Sequence, residues 1–185
     1  MLIIWRLFSN TNRIIIARKK CIFFLDLAPK MKMTFPEKIV RPGSYVSLVC
    51  VASGNPAPQM KWLLDGIWTV STRPGALVST YMGSTGDVIS YLNFTSVDVS
   101  DSGLYRCEAV NEAGAASHSK RLNVFGPIFI RPISNLTALA GTRFSVNCPF
   151  GGFPFEKISW KRGNFYMLQT NKIFFSKKIC NLNVI

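Results

Sequence analysis

The sequence predicts an all-β sandwich of short antiparallel strands on three observations. Apolar residues recur at every second position in run after run, turn formers separate the runs, and no segment sustains a helical period. In SYVSLVCVA, Val46, Leu48 and Cys50 share one face, and in MKWLLDG so do Met60, Trp62 and Leu64. Asn55-Pro56 and Asp65-Gly66 follow these runs with residues suited to the backbone angles of turns. VISYLNF then turns Leu92 and Phe94 inward and Asn93 outward. LYRCEAV turns Tyr105, Cys107 and Ala109 inward, and SKRLNVF continues the alternation through Leu122 and Val124.

The cysteines give the sandwich its type. Cys50, Trp62 twelve residues on, and Tyr105 two residues before Cys107 have the spacing of an immunoglobulin-like sandwich, of the I-set kind. In that fold the two cysteines lie on opposite sheets, the Trp packs on their disulfide, and the Tyr bonds back to the backbone at a corner. A bridge from Cys50 to Cys107 closes a loop of 57 residues, a constraint contributing about 4 kcal/mol in the chain-entropy model. A competing reading keeps both cysteines reduced in a cytosolic structural I-set domain, because pairing depends on the redox compartment. Two sequons, Asn93-Phe94-Thr95 and Asn135-Leu136-Thr137, favour the extracellular reading and make Asn93 and Asn135 candidate glycosylation sites.

The unit is repeated. At an offset of 98 residues Gly43 meets Gly141, Cys50 meets Cys148, Gly54 meets Gly152, Pro56 meets Pro154 and Trp62 meets Trp160. Val46 and Leu48 meet apolar Phe144 and Val146 in the same register. The expected partner of Cys148 falls beyond Ile185, and Cys180, only 32 residues after Cys148 and without the Asp-x-Gly-x-Tyr context, is read as a bystander. Spacing leaves open whether Cys21, Cys148 and Cys180 are free. The expected division is residues 1–34 outside any domain, 35–125 a complete domain, 127–162 the N-terminal part of a second, and 163–185 an unrelated tail. A half sandwich exposes its inner face and strand edges, so residues 127–162 are not expected to fold stably alone.

Charge follows the same boundaries. The net charge is +13, yet residues 36–125 hold seven basic and seven acidic side chains, and the excess lies entirely in the flanks. Ile, Phe, Lys and Asn make up 15 of the first 34 residues and 13 of the last 23, against 26 of the 128 between, so the ends differ in kind from the middle. Basic residues interrupt the apolar runs of the start, which therefore lacks the unbroken stretch that a secretory signal or membrane span needs. Nucleic acid is not an expected partner, because the basic excess has no folded scaffold to concentrate it.

Catalysis is not expected either. The single His, His118, lies in SHSKRLN on the last strand of the first unit, in no recognisable Ser or Cys nucleophile context, and reads as a solvent-facing residue. Gly83-Ser84-Thr85-Gly86 fits a loop and no phosphate-binding fingerprint, and the Cys spacings match no zinc pattern, so no cofactor or metal is expected.

The runs FPEKIVRPGSYVSLVCVASGNPAPQMKWLLDG, GDVISYLNFTSVDVSDSGLYRCEAVNEAGAASHSKRLNVFGPIFIRPI and LAGTRFSVNCPFGGFPFEKISWKR closely resemble the invertebrate Dscam (Down syndrome cell adhesion molecule) family. The resemblance covers about Phe35 to Arg162, the family's sixth immunoglobulin domain and the start of its seventh. It implies homophilic binding of the same protein on an opposing cell, in axon guidance and dendrite self-avoidance. It also implies a parent anchored in the plasma membrane with these domains outside. In that family the self-matching surfaces lie on the second, third and seventh domains, so the complete domain here would be a spacer. The family's signal peptide, fibronectin-type repeats, transmembrane helix and cytoplasmic tail have no counterpart in the sequence. A second hypothesis is a ligand-binding domain of another immunoglobulin-type receptor, which calls for a localised charged or aromatic patch; the neutral balance of residues 36–125 disfavours a basic, glycan-binding form.

Overall fold

The computed structural model describes residues 26–66, 68–70, 73–133, 137, 147–162, 165–167 and 179–183. The first unit is built from strands β1 (Leu27–Met33), β2 (Lys38–Val40), β3 (Val46–Asn55), β4 (Gln59–Leu64), β5 (Trp68–Thr69), β6 (Ala76–Met82), β7 (Val88–Phe94), β8 (Gly103–Asn111) and β9 (Gly114–Val124). A 3-10 turn, Val99–Asp101, precedes β8, its Asp98 cap accepting from the Ser100 amide at 3.2 Å. Two sheets form, ordered β1-β3-β7-β6 and β2-β9-β8-β4-β5. All their pairings are antiparallel except β2 with β9.

The period-two runs become the two inner faces. On β3 and β7 alternate residues from Val46 to Ala52 and from Val88 to Phe94 are buried, and on β8 so are Tyr105, Cys107 and Ala109. Leu48, Leu64, Leu92, Phe94, Leu122 and Val124 fill the space between the sheets, and burying each such side chain contributes about 1.5–3 kcal/mol. Asp65-Gly66 turns β4 into β5 with φ of 54° and 77°, the left-handed region that Gly enters freely and Asp tolerates.

Two strands arise where alternation is weak. β1 begins at Leu27, within the stretch expected to lie outside the domain, and pairs with β3 from Leu27↔Asn55 to Met33↔Val51. β6 closes the other edge of that sheet and exposes most of its length. His118 is half-buried rather than solvent-facing, correcting the sequence reading. It stands opposite Cys107 on the inner face, meets the Phe35 ring edge-on at 5.1 Å, and places Nε2 2.9 Å from the Phe35 carbonyl.

The repeat is visible in the second unit. β10 (Gly126–Ile130) pairs with β11 (Phe150–Phe153), with Gly126 opposite Phe153. β12 (Lys157–Arg162) stands at the repeat offset from β4, between β13 (Phe165–Met167) and β14 (Ile179–Asn183). The peptide bonds Asn55-Pro56 and Phe153-Pro154, also one offset apart, are both cis. Cys148 is disulfide-bonded. The backbone of Cys180 lies opposite Trp160, the register in which Cys107 lies opposite Trp62, so Cys180 has a place in the repeat that its sequence context does not announce.

Candidate functional site

Two features of the first unit present themselves as sites: the outer face around Asn93, and the junction where the second unit begins. Both depend on the clamp between the sheets. Cys50, opposite Ser90 in one sheet, and Cys107, opposite Trp62 in the other, are joined by a disulfide with Cα atoms 6.7 Å apart. Trp62 is buried and its indole Nε1 donates to Ser90 Oγ at 2.9 Å, so the ring's polar atom is satisfied inside the core. Ser90 Oγ is in turn 2.8 Å from Thr80 Oγ1 on the edge strand. Tyr105 donates its hydroxyl to the Asp101 carbonyl at 2.7 Å, fixing the 3-10 turn against β8. Arg73 pairs with the Asp101 carboxylate and donates to the Ser100 carbonyl at 3.0 Å from outside the same turn.

Asn93 sits on β7 between Ser47 of β3 and Leu77 of β6, on the face turned away from the core. Its Oδ1 accepts from the Tyr45 hydroxyl at 3.3 Å. Asn135 lies outside the described residues.

The junction centres on Arg131, just past β10. Its side chain crosses to the first unit, where Nη1 donates to Asp65 Oδ2 at 2.5 Å and Nη2 donates to the carbonyls of Ser100 at 2.6 Å and Ser102 at 2.7 Å. Asp65 is 8% exposed and Arg131 9%. Asp65 also accepts from the Leu104 amide at 2.9 Å, so each charge is hydrogen-bonded as well as paired. Burial pushes the Asp65 carboxyl above its usual range, opposed by the Leu104 amide and by Arg131.

Arg121 of β9 completes the joint, its guanidinium 3.8 Å from the centre of the Phe150 ring and donating to the Phe150 carbonyl at 3.1 Å. Phe125, Phe153, Phe155 and Phe150 continue edge to face beyond it, with centroids 4.8 to 6.4 Å apart. Gly151 permits the approach, since a Cβ there would lie 2.7 Å from the Ser102 carbonyl oxygen.

Sequence reasoning missed this joint. Asp65 read only as a turn residue and Arg131 only as part of the basic flank, because partners 66 residues apart leave no local pattern. Among the described residues no three His, Cys, Asp or Glu side chains group as metal ligands, and no helix is long and apolar enough to cross a membrane.

An immunoglobulin domain model matches residues 28–111. The chain is 41% identical over 138 residues to cell adhesion molecule Dscam2 of Drosophila melanogaster, a match covering 75% of this chain and 7% of that protein. It is 40% identical over 151 residues to cell adhesion molecule DSCAM of Rattus norvegicus, covering 81% and 8%. The chain thus spans less than a tenth of the length of these relatives, which are adhesion molecules rather than enzymes. A crystal structure of the N-terminal eight immunoglobulin domains of Down syndrome cell adhesion molecule isoform 1.30.30 superposes with a TM-score of 0.73 at 38% identity, covering 85% of this chain and 21% of that one. The sandwich with its clamped Trp and Tyr, the repeat, and these identities carry one conclusion: the chain belongs to the immunoglobulin superfamily, in the Dscam family of cell adhesion molecules.

Proposed function

We propose that this chain is part of a longer extracellular, membrane-anchored receptor that binds its own kind on an opposing cell, in the homophilic contacts of axon guidance and dendrite self-avoidance. In this reading the complete unit is a spacer that presents the next unit at a set angle, and Asn93 and Asn135 are glycosylated. The observation that carries it is the junction. A surface that must match itself across two cells needs fixed presentation, and a buried Arg131–Asp65 pair with two further carbonyl bonds supplies a joint that a flexible linker would not. The Dscam relatives, all of them cell adhesion molecules, support the same reading. The Cys50–Cys107 disulfide favours an oxidising compartment over the cytosolic alternative.

The test has two arms. The chain is secreted from eukaryotic cells behind a supplied leader and mapped by peptide mass spectrometry with and without reduction; linked Cys50 and Cys107 peptides are expected, and free thiols in folded protein would return the domain to the cytosol. Beads coated with the parent ectodomain are expected to aggregate with one another, and beads carrying the R131M form to aggregate less; failure of wild-type beads to self-associate would remove the homophilic reading.

A further inference from the structure

We propose that Asn93 bears an N-linked glycan whose first N-acetylglucosamine lies on Tyr45 and Leu77, closing the outer face of the four-stranded sheet to protein partners. This rests on the extracellular reading and adds where the sugar sits and what it covers. Tyr45 is 65% exposed and Leu77 63%, the two most exposed large apolar side chains beside Met82. They flank one residue: Leu77 is paired with Asn93 across β6 and β7, and the Tyr45 hydroxyl donates to Asn93 Oδ1. Exposed apolar groups gathered at one point mark a surface that something covers. Here the residue that would carry a sugar is hydrogen-bonded to one of them and cross-strand partner of the other.

The chemistry is compatible with that hydrogen bond. Tyr45 engages Oδ1 and leaves Nδ2 outside the bond, and Nδ2 is the atom to which a glycan joins. In the transfer Nδ2 attacks C1 of the N-acetylglucosamine of a polyprenyl-pyrophosphate oligosaccharide supplied by the secretory pathway. The N–C1 bond forms, the C1–O bond to pyrophosphate breaks, the lipid pyrophosphate leaves with the electron pair, and Nδ2 gives up one proton. Thr95, which completes the sequon, is exposed just past β7. The sugar ring's C–H face then meets the Tyr45 ring and Leu77 methyls.

Position gives the glycan its consequence. Among the described residues β6 is the edge of its sheet, the kind of position on which another chain could add a strand. A glycan one strand in, at Asn93, overhangs that edge and leaves the five-stranded sheet and the second unit as the faces open to a partner.

The experiment uses the full chain secreted from eukaryotic cells behind a supplied leader, with its glycans trimmed to a single N-acetylglucosamine and compared with enzymatically deglycosylated protein and with N93Q. Glycan mass on the Asn93 peptide is expected. Hydroxyl-radical footprinting is expected to show Tyr45 and Leu77 oxidised severalfold more slowly in the single-sugar form, with Tyr81 reacting alike in all three. Equal rates at Tyr45 and Leu77 would overturn the seat. A bare Asn93 in protein with the Cys50–Cys107 bridge formed would overturn this inference and leave the extracellular reading standing, whereas a bare Asn93 with both thiols free would overturn both. Deglycosylation after folding keeps the comparison valid should N93Q fail to fold.

Discussion

Tyr105 isolates one hydrogen bond, because its ring is fully buried and only its hydroxyl reaches the Asp101 carbonyl. Tyr105→Phe keeps the ring and removes the donor, so we expect a loss of about 1–3 kcal/mol in chemical denaturation with the fold retained. The same residue sets an alkaline limit. Burial pushes its hydroxyl well above the ordinary tyrosine value, with Arg73 next and opposing. In the unfolded chain it titrates near about 10, so its contribution is complete below that pH and is lost as pH rises past it, where only the unfolded chain releases the proton. Unfolding followed by circular dichroism between neutral and strongly alkaline pH should show that loss, and Tyr105→Phe should blunt it. Alternation on LYRCEAV told which way this residue faces, but the Asp101 carbonyl that receives its bond is visible only in the fold.

At the scale of elements, the junction is held by a buried pair, and such pairs are costly to break and cheap to replace. Arg131→Met leaves Asp65 buried without its partner and is expected to cost about 3–5 kcal/mol in urea denaturation. The double variant Asp65→Asn, Arg131→Met removes the orphaned charge and should recover most of that loss; an unchanged double variant would show that the carbonyl bonds from Arg131, and not the ion pair, hold the joint. The second unit yields a separate expectation. Because β14 sets Cys180 against Trp160 as β8 sets Cys107 against Trp62, and Cys148 is disulfide-bonded, peptide mapping without reduction should link Cys148 to Cys180. Recovery of alkylated Cys180 from untreated protein would reject that pairing.

For the molecule as a whole, the 57-residue loop closed by Cys50 and Cys107 spans β3 to β8 and both sheets. Reducing it should lower the stability of the first unit by about 4 kcal/mol, read as an earlier unfolding midpoint in denaturant at fixed pH. β3, β4, β7 and β8 were legible in the sequence because each buries one face, so side-chain alternation and backbone pleat share a period of two, and β9 was legible from its inward Leu122 and Val124, although Asn123 between them is buried as well. β1 and β6 were not, because they lie at sheet edges where backbone pairing, rather than a buried face, makes the strand. Lys30 and Lys32 within β1 read as a basic flank, and β6 exposes Leu77, Tyr81 and Met82 where a core strand would hide them.

The sequence by itself determined the sandwich, its clamp and its repetition, since cysteines, Trp and apolar alternation at fixed spacings leave few other ways to bury those faces. Only the tertiary structure decided the joint and the surroundings of Asn93. Arg131 meets Asp65, Ser100 and Ser102, and Asn93 meets Tyr45 and Leu77, across distances in the chain that no short-range pattern encodes. Hydrogen bonds and ion pairs of this kind depend on where folding brings the backbone, whereas burial of apolar faces is written residue by residue.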